Sequence, residues 1–168
     1  MAGALIVTAE LGEADFAWLN SLRRMNYPLE RNHVPAHLTM FHALPPSAEG
    51  ELQARLARLA SLRPPEARIA GVMDLGGGVA LRIISDDLDR LRGDMKDAMQ
   101  GLLSLQDAGG WRPHVTIQNK VAPRIARTLI SELEGRYDRR PIRISGLGLH
   151  RYLDGPWEKR AIYPFRGR

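Results

Sequence analysis

The chain contains no cysteine, so disulfides, thiolate metal ligands and a cysteine nucleophile are excluded from any account of it. Aromatic residues make up only 6% of it, and no stretch approaches the roughly 18 apolar residues of a membrane span. The N-terminus, Met1 to Val7, has no basic region and soon meets Glu10 and Glu13; a soluble, cytoplasmic protein is expected. Phosphate-cradling loops are missing as well. Gly146-Leu147-Gly148 lacks the third glycine of a dinucleotide fingerprint, and no Gly-Lys-Ser/Thr occurs. His33 and His37 have the spacing of helical zinc ligands, but Pro35 lies between them and Val34 stands where a zinc protease needs glutamate. Neither a metal nor a cofactor is expected.

What is present is enough for one substantial core: 168 residues, 44% of them hydrophobic. The net charge of +5 is unevenly spread, because residues 136–168 hold nine Lys/Arg against three Asp/Glu while residues 1–135 hold fifteen against sixteen. If the C-terminal surplus converges on a cleft, it favours a phosphate-bearing partner.

Periodicity supplies the elements. Leu5-Ile6-Val7-Thr8-Ala9 reads as a buried strand. Phe16, Leu19 and Leu22, with Trp18 and Met25 on a shoulder, predict a helix from Glu13 to about Met25, stopped by Tyr27-Pro28. A strand from His37 to Leu44 is closed by Pro45-Pro46, and Ser47 is expected to cap a helix running from Ala48 to about Leu62. Arg68 to Leu75 and Val79 to Ser85 form a hairpin about Gly76-Gly77-Gly78. Ser85 or Asp86 caps a helix carrying Leu88, Leu91, Met95, Met99 and Leu102, with its exit at Gly109-Gly110. A second motif strand starts at His114, Pro123 opens a helix with Ile125, Leu129, Ile130 and Leu133 on its apolar side, and two strands close the chain about Asp154-Gly155-Pro156. The order βαβαββαβαββ suits an α+β protein with antiparallel or mixed sheets better than a doubly wound parallel one.

Two short segments carry the chemistry. In His37-Leu38-Thr39 and in His114-Val115-Thr116, strand alternation places a histidine and a threonine on one face and an apolar residue on the other. The copies lie 77 positions apart, each with a proline within two residues upstream, Pro35 and Pro113. A lone His-x-Thr is weak, but its repetition in matching strand context hints at two related halves. Two histidines suffice for the proton removal and proton delivery that phosphodiester cleavage needs, and a neighbouring threonine hydroxyl can donate to a non-bridging phosphate oxygen.

On these residues the chain resembles the two-histidine (2H) phosphoesterase superfamily, in particular the bacterial 2′-5′ RNA ligase and RNA 2′,3′-cyclic phosphodiesterase branch. The resemblance implies one bilobal domain over residues 1–168: two pseudo-symmetric lobes, each an antiparallel β-sheet backed by helices, about a central cleft, with the motif strands at about 37–44 and 114–121. It implies catalytic roles for His37 and His114 and phosphate binding by Thr39 and Thr116. The implied activity is metal-independent hydrolysis of RNA-type 2′,3′-cyclic phosphate ends, or the joining or cleavage of 2′-5′ linkages, with His114 assigned as base and His37 as acid for hydrolysis. The expected partners are RNA ends or nucleotides, with neither a membrane nor a protein partner. Alternatives are a non-catalytic RNA or nucleotide binding module, or a phosphodiesterase for a small cyclic or 2′-5′ linked nucleotide.

Further candidates are weighed on chemistry alone. Phe41 follows the first motif and is a possible base platform. Gln118, with Arg112 and Lys120, neighbours the second. His150, Arg151 and Tyr152 lie in the basic region, where arginine (Arg143 or Arg151) can pair with phosphate and Tyr152 or Trp157 can stack on a base. Alternation puts His150 and Tyr152 on one face and Arg151 on the other. His42 is read as structural or exposed, and the acidic start of the third helix as a complement to its dipole.

Overall fold

The apolar runs and the breakers between them fold as strands and helices close to the expected positions. The computed structural model describes residues 3–168; Met1 and Ala2, the start of the N-terminal stretch read above, lie outside them. In chain order the elements are β1 (Leu5–Leu11), α1 (Glu13–Asn26), β2 (Leu38–Leu44), α2 (Glu49–Leu59), β3 (Glu66–Asp74), β4 (Val79–Ile84), α3 (Asp86–Ala98), the short α4 (Leu105–Ala108), β5 (His114–Gln118), α5 (Pro123–Leu133), β6 (Pro141–Tyr152) and β7 (Trp157–Pro164). No described helix is long and apolar enough to cross a membrane.

The two separate sheets implied by the resemblance are one hydrogen-bonded sheet of seven strands in the order β1-β2-β5-β4-β3-β6-β7. An added pairing of β1 with β6 closes the first six into a ring. Each of the strand pairings is antiparallel. The ring is narrow in two places. β2 meets β5 only at Leu38 opposite Val115, and β3 meets β6 only from Glu66–Arg143 to Arg68–Pro141.

Two clusters of buried side chains hold this arrangement. The larger joins β1, β2, β6 and parts of β3 to β5 with Leu52 and Leu56 of α2 and Leu88, Leu91 and Met95 of α3. The smaller packs Ala126, Leu129 and Leu133 of α5 on Val79 and Ile117. Full burial of one such leucine stabilises by about 1.5–3 kcal/mol, so the amphipathic faces fix the helices more firmly than their caps do. The glycine turn also has a packing reason, since a Cβ on Gly78 would fall on the Gln118 carbonyl and the Asn119 Cα at the end of β5.

The structure departs from the expected elements where turns intervene. Ser47 caps nothing, because Pro46–Ala48 forms a 3-10 turn and Ala48 becomes the N-cap of α2 without a side-chain bond. Ser85 does cap α3, accepting from the Leu88 N–H, but that helix stops at Ala98. Gly101, at φ +85°, turns the chain away, and Ser104 caps the unforeseen α4. Met25, Leu102 and Ile125 are exposed instead of packed.

α4 exists to deliver one carboxylate. Asp107 is buried beside β2, where it accepts the backbone N–H groups of His42 (2.8 and 2.9 Å) and Ala43 (2.9 Å) and the His42 Nδ1–H at 3.0 Å. Arg92 ties the same region together, donating to the carbonyls of Met40 and Asp107. Desolvation pushes the Asp107 carboxyl up, but the bonds from His42 and Ala43 outweigh it and hold it below the ordinary aspartate value. The unfolded chain therefore binds the proton first as pH falls below about 3.9, and the stability contributed here, complete above that value, is lost below it. We expect Asp107→Asn to cost about 2 kcal/mol at pH 7, since its amide leaves backbone N–H groups without an ionised acceptor. Urea unfolding of both proteins from pH 7 to pH 3 should show that gap narrowing toward the acid end.

Candidate active site

The single pairing between β2 and β5 determines the geometry of the site. Leu38 and Val115 are fully buried. One step along each antiparallel strand sets Thr39 opposite His114 and His37 opposite Thr116, and alternation turns all four to the other face. They are half-buried there. The two His-x-Thr segments thus meet head to tail, about a local twofold that passes between Leu38 and Val115.

Both imidazoles are held in the same way. His37 Nδ1 lies 2.9 Å from the Pro35 carbonyl and His114 Nδ1 2.6 Å from the Arg112 carbonyl. A carbonyl only accepts, so each Nδ1 carries a proton and each neutral ring keeps its lone pair on Nε2. The threonine backbones are fixed in parallel fashion. Trp111 Nε1–H donates to the Thr39 carbonyl at 3.1 Å, and the Arg23 guanidinium to the Thr116 carbonyl at 2.9 Å.

The two histidines differ in their surroundings. Although part of its ring reaches solvent, His37 is enclosed by protein, with Trp157 packed on it at 4.5 Å between ring centroids. Desolvation is the main cause that pushes its pKa down to about 4, helped by the positive charge of Arg23, His150 and His114 and opposed by the Pro35 carbonyl. At neutral pH His37 is an uncharged base. A cavity of about 620 Å³ opens beside it, bounded by Phe16, Val34, Trp157, Glu10, His150 and Arg143 among others. A smaller one of about 310 Å³, lined by Arg23, Tyr27, Arg31 and Lys120, also ends on His37.

A family model described as the 2′-5′ RNA ligase superfamily matches residues 11–156. The chain belongs to the 2′-5′ RNA ligase superfamily. Solved structures share its fold at low identity. TT0787 of Thermus thermophilus is 19% identical with a TM-score of 0.68, over 98% of this chain and 99% of that one. E. coli LigT in complex with 3′-AMP is 16% identical with a TM-score of 0.65, over 98% and 99%. LigT in complex with NADP+ is 14% identical with a TM-score of 0.64, over 99% of each chain. No curated protein matches the sequence.

Within this superfamily member the remaining sequence candidates part company. Phe41 is fully buried in the core, beneath the Arg92 guanidinium, and offers no platform for a base. Its β2 strand bulges against β1, where the register slips between Leu5 and Thr8, so the alternation that should have turned Phe41 toward the site is broken. Gln118 is buried as well, at 3% exposure. Arg151 is ion-paired with Glu49 of α2 at 3.0 Å, and neither it nor Tyr152 lines the two cavities at His37. His150 does line the larger cavity, with Trp157 and Arg143. The basic C-terminal surplus is therefore divided: Arg143 and Lys159 face the cavity, while Arg151 and Arg160 are spent on Glu49.

Sequence reasoning missed Arg23 and Glu10. Arg23 had a signal, being a cation one turn after Leu19 on the buried face of α1, beside Asn20. Glu10 had little, since Thr8 shares its strand face but His150, which completes the group, comes from β6. We expect the ring protons of His37, followed by NMR, to titrate near pH 4 with the neutral tautomer protonated on Nδ1. Arg23→Gln should move that midpoint upward by removing a positive neighbour, though not to the ordinary value, because desolvation remains.

Proposed function

We propose that the chain is a metal-independent phosphodiesterase that opens 2′,3′-cyclic phosphate ends of RNA or cleaves 2′-5′ linkages. The observation that carries this reading is the paired His-x-Thr arrangement, with two neutral-capable Nε2 atoms and two hydroxyls on one face of a two-strand seam. The superfamily membership supports the reaction class, and LigT, which has the same fold, is known in complex with 3′-AMP. We take the sheet as two pseudo-symmetric lobes, β1-β2-β6-β7 and β3-β4-β5, within one domain of residues 1–168 in a cytoplasmic enzyme.

In the proposed reaction a water attacks phosphorus and one ribose oxygen leaves. His37, kept uncharged by burial, takes the proton of the water through Nε2. His114, to act as the acid, must bring a proton on Nε2 to the step, and it delivers that proton to the departing oxygen. This reverses the roles assigned from the sequence, for the reason that a base must be neutral at working pH. Thr39 and Thr116 donate to the non-bridging oxygens, where charge accumulates.

Hydrolysis of a nucleoside 2′,3′-cyclic phosphate, assayed in a metal chelator, tests the proposal. His37→Ala and His114→Ala should each lower turnover by about 10²-fold or more, the usual scale for an acid-base group. Near-normal turnover in both variants, or tight nucleotide binding by the wild type with no turnover, would sink the enzymatic reading in favour of a binding module.

A further inference from the structure

The acid-base chemistry leaves the floor of the larger cavity unused. β1 and β6 pair so that Gly148 lies opposite Thr8, and Thr8, Glu10 and His150 meet over that glycine. A Cβ there would sit 2.5 Å from Thr8 Oγ1, 2.7 Å from Glu10 Oε2 and 2.9 Å from His150 Nε2. Only glycine leaves room for the cluster.

The direction of its hydrogen bonds follows from counting protons. Thr8 Oγ1 donates to Glu10 Oε2 at 2.6 Å, and a hydroxyl has only one proton to give. The 3.0 Å contact between Thr8 Oγ1 and His150 Nε2 therefore runs from the imidazole N–H into the hydroxyl oxygen. The relay ends on Glu10. Desolvation raises the Glu10 carboxyl, but the His150 imidazole 3.7 Å away and the bond from Thr8 prevail and hold it below the ordinary glutamate value. Thr8 is 1% and His150 8% exposed, whereas the Glu10 side chain retains 25% exposure toward the cavity. Among the described residues nothing donates to its other oxygen, Oε1. An oriented, acceptor-only group, with the Lys159 charge acting on it, thus lines a slot that has Phe16, Val34, Pro35 and Trp157 as apolar, partly planar surface and Arg143 and Lys159 as cations. About 620 Å³ is within the usual range for a small-molecule site.

We propose that this cavity holds the nucleobase of the substrate and that Glu10 selects bases carrying an amino group over uracil. The inference rests on the phosphodiester reading above. Guanine, adenine and cytosine each present an exocyclic amino donor to a carboxylate. Uracil presents one N–H between two carbonyl oxygens, which the carboxylate repels. Phe16 and Trp157 provide stacking surface that is indifferent to base identity, and among the polar groups of the lining Glu10 is the acceptor that Thr8 and His150 hold in place, so we assign the discrimination to it. Thr8 and His150 act through Glu10 and are positioning residues.

The test compares kcat/KM for the four nucleoside 2′,3′-cyclic phosphates in wild type, Glu10→Gln, Thr8→Val and Thr8→Ser. Calorimetric affinities for the four nucleoside 3′-monophosphates are measured alongside, and thermal melts establish that each variant is folded. The wild type should disfavour uridine by about ten- to a hundredfold, the scale of one charge-assisted hydrogen bond. In Glu10→Gln, whose amide donates to a uracil carbonyl, uridine should draw level or lead. Thr8→Val should blunt the preference and Thr8→Ser restore it. An unchanged base ratio in Glu10→Gln, or no preference in the wild type, overturns the inference while leaving the phosphodiester reading intact. If no cyclic phosphate is hydrolysed, that reading fails and the affinities decide. A penalty against uridine 3′-monophosphate that Glu10→Gln abolishes sustains the base site, and equal affinities end it.

Discussion

Leu38 and Val115 face each other across the narrowest seam of the sheet, and the histidine-threonine face depends on that contact. A slip of either strand by one residue would drive a histidine and a threonine into the core and bring Leu38 and Met40, or Val115 and Ile117, into water. Each large apolar side chain so exposed costs about 1.5–3 kcal/mol, and each hydroxyl or imidazole buried without a partner costs a comparable amount again. One backbone pairing is weak by itself. Its register is nevertheless secure, because the side chains on both faces agree about it, and the carbonyls flanking it are held by Trp111 and Arg23.

Arg23 shows how a buried cation can serve two ends. Its guanidinium fastens α1 to β5 through the Thr116 carbonyl and to the following loop through Asn32, with Tyr27 beneath it at 4.2 Å. The same charge makes protonation of His37 less favourable. No carboxylate is bonded to either motif imidazole among the described residues; each has a neutral backbone carbonyl instead. Burial and positive neighbours therefore set the proton affinity of His37, and a phosphate arriving beside it would oppose both effects.

The sequence made the face-by-face layout of the two motifs legible because alternation over three residues needs no knowledge of partners. The helices on both sides of them were legible for a similar reason, through stops such as Tyr27-Pro28 and Pro45-Pro46. Phe41 was misplaced because a bulge is a property of a strand pair, and the misfit between β1 and β2 leaves no mark in either segment alone. The closed ring was hidden too. It requires β1 to pair with β6 across almost the whole chain, which periodicity within a window cannot register. Thr8 looked like part of an ordinary buried strand, and Glu10 like an acid beyond its end, until His150 was brought over Gly148.

Each motif histidine is tethered to a carbonyl only two residues behind it, at Pro35 and at Arg112. Tautomer and orientation are consequently settled within each five-residue stretch, 35–39 or 112–116, without help from the opposite strand. What the fold adds is distance and register, not the making of either part. Opening the seam would separate two intact half-sites, so the pair resembles a clasp whose halves keep their shape when it is undone.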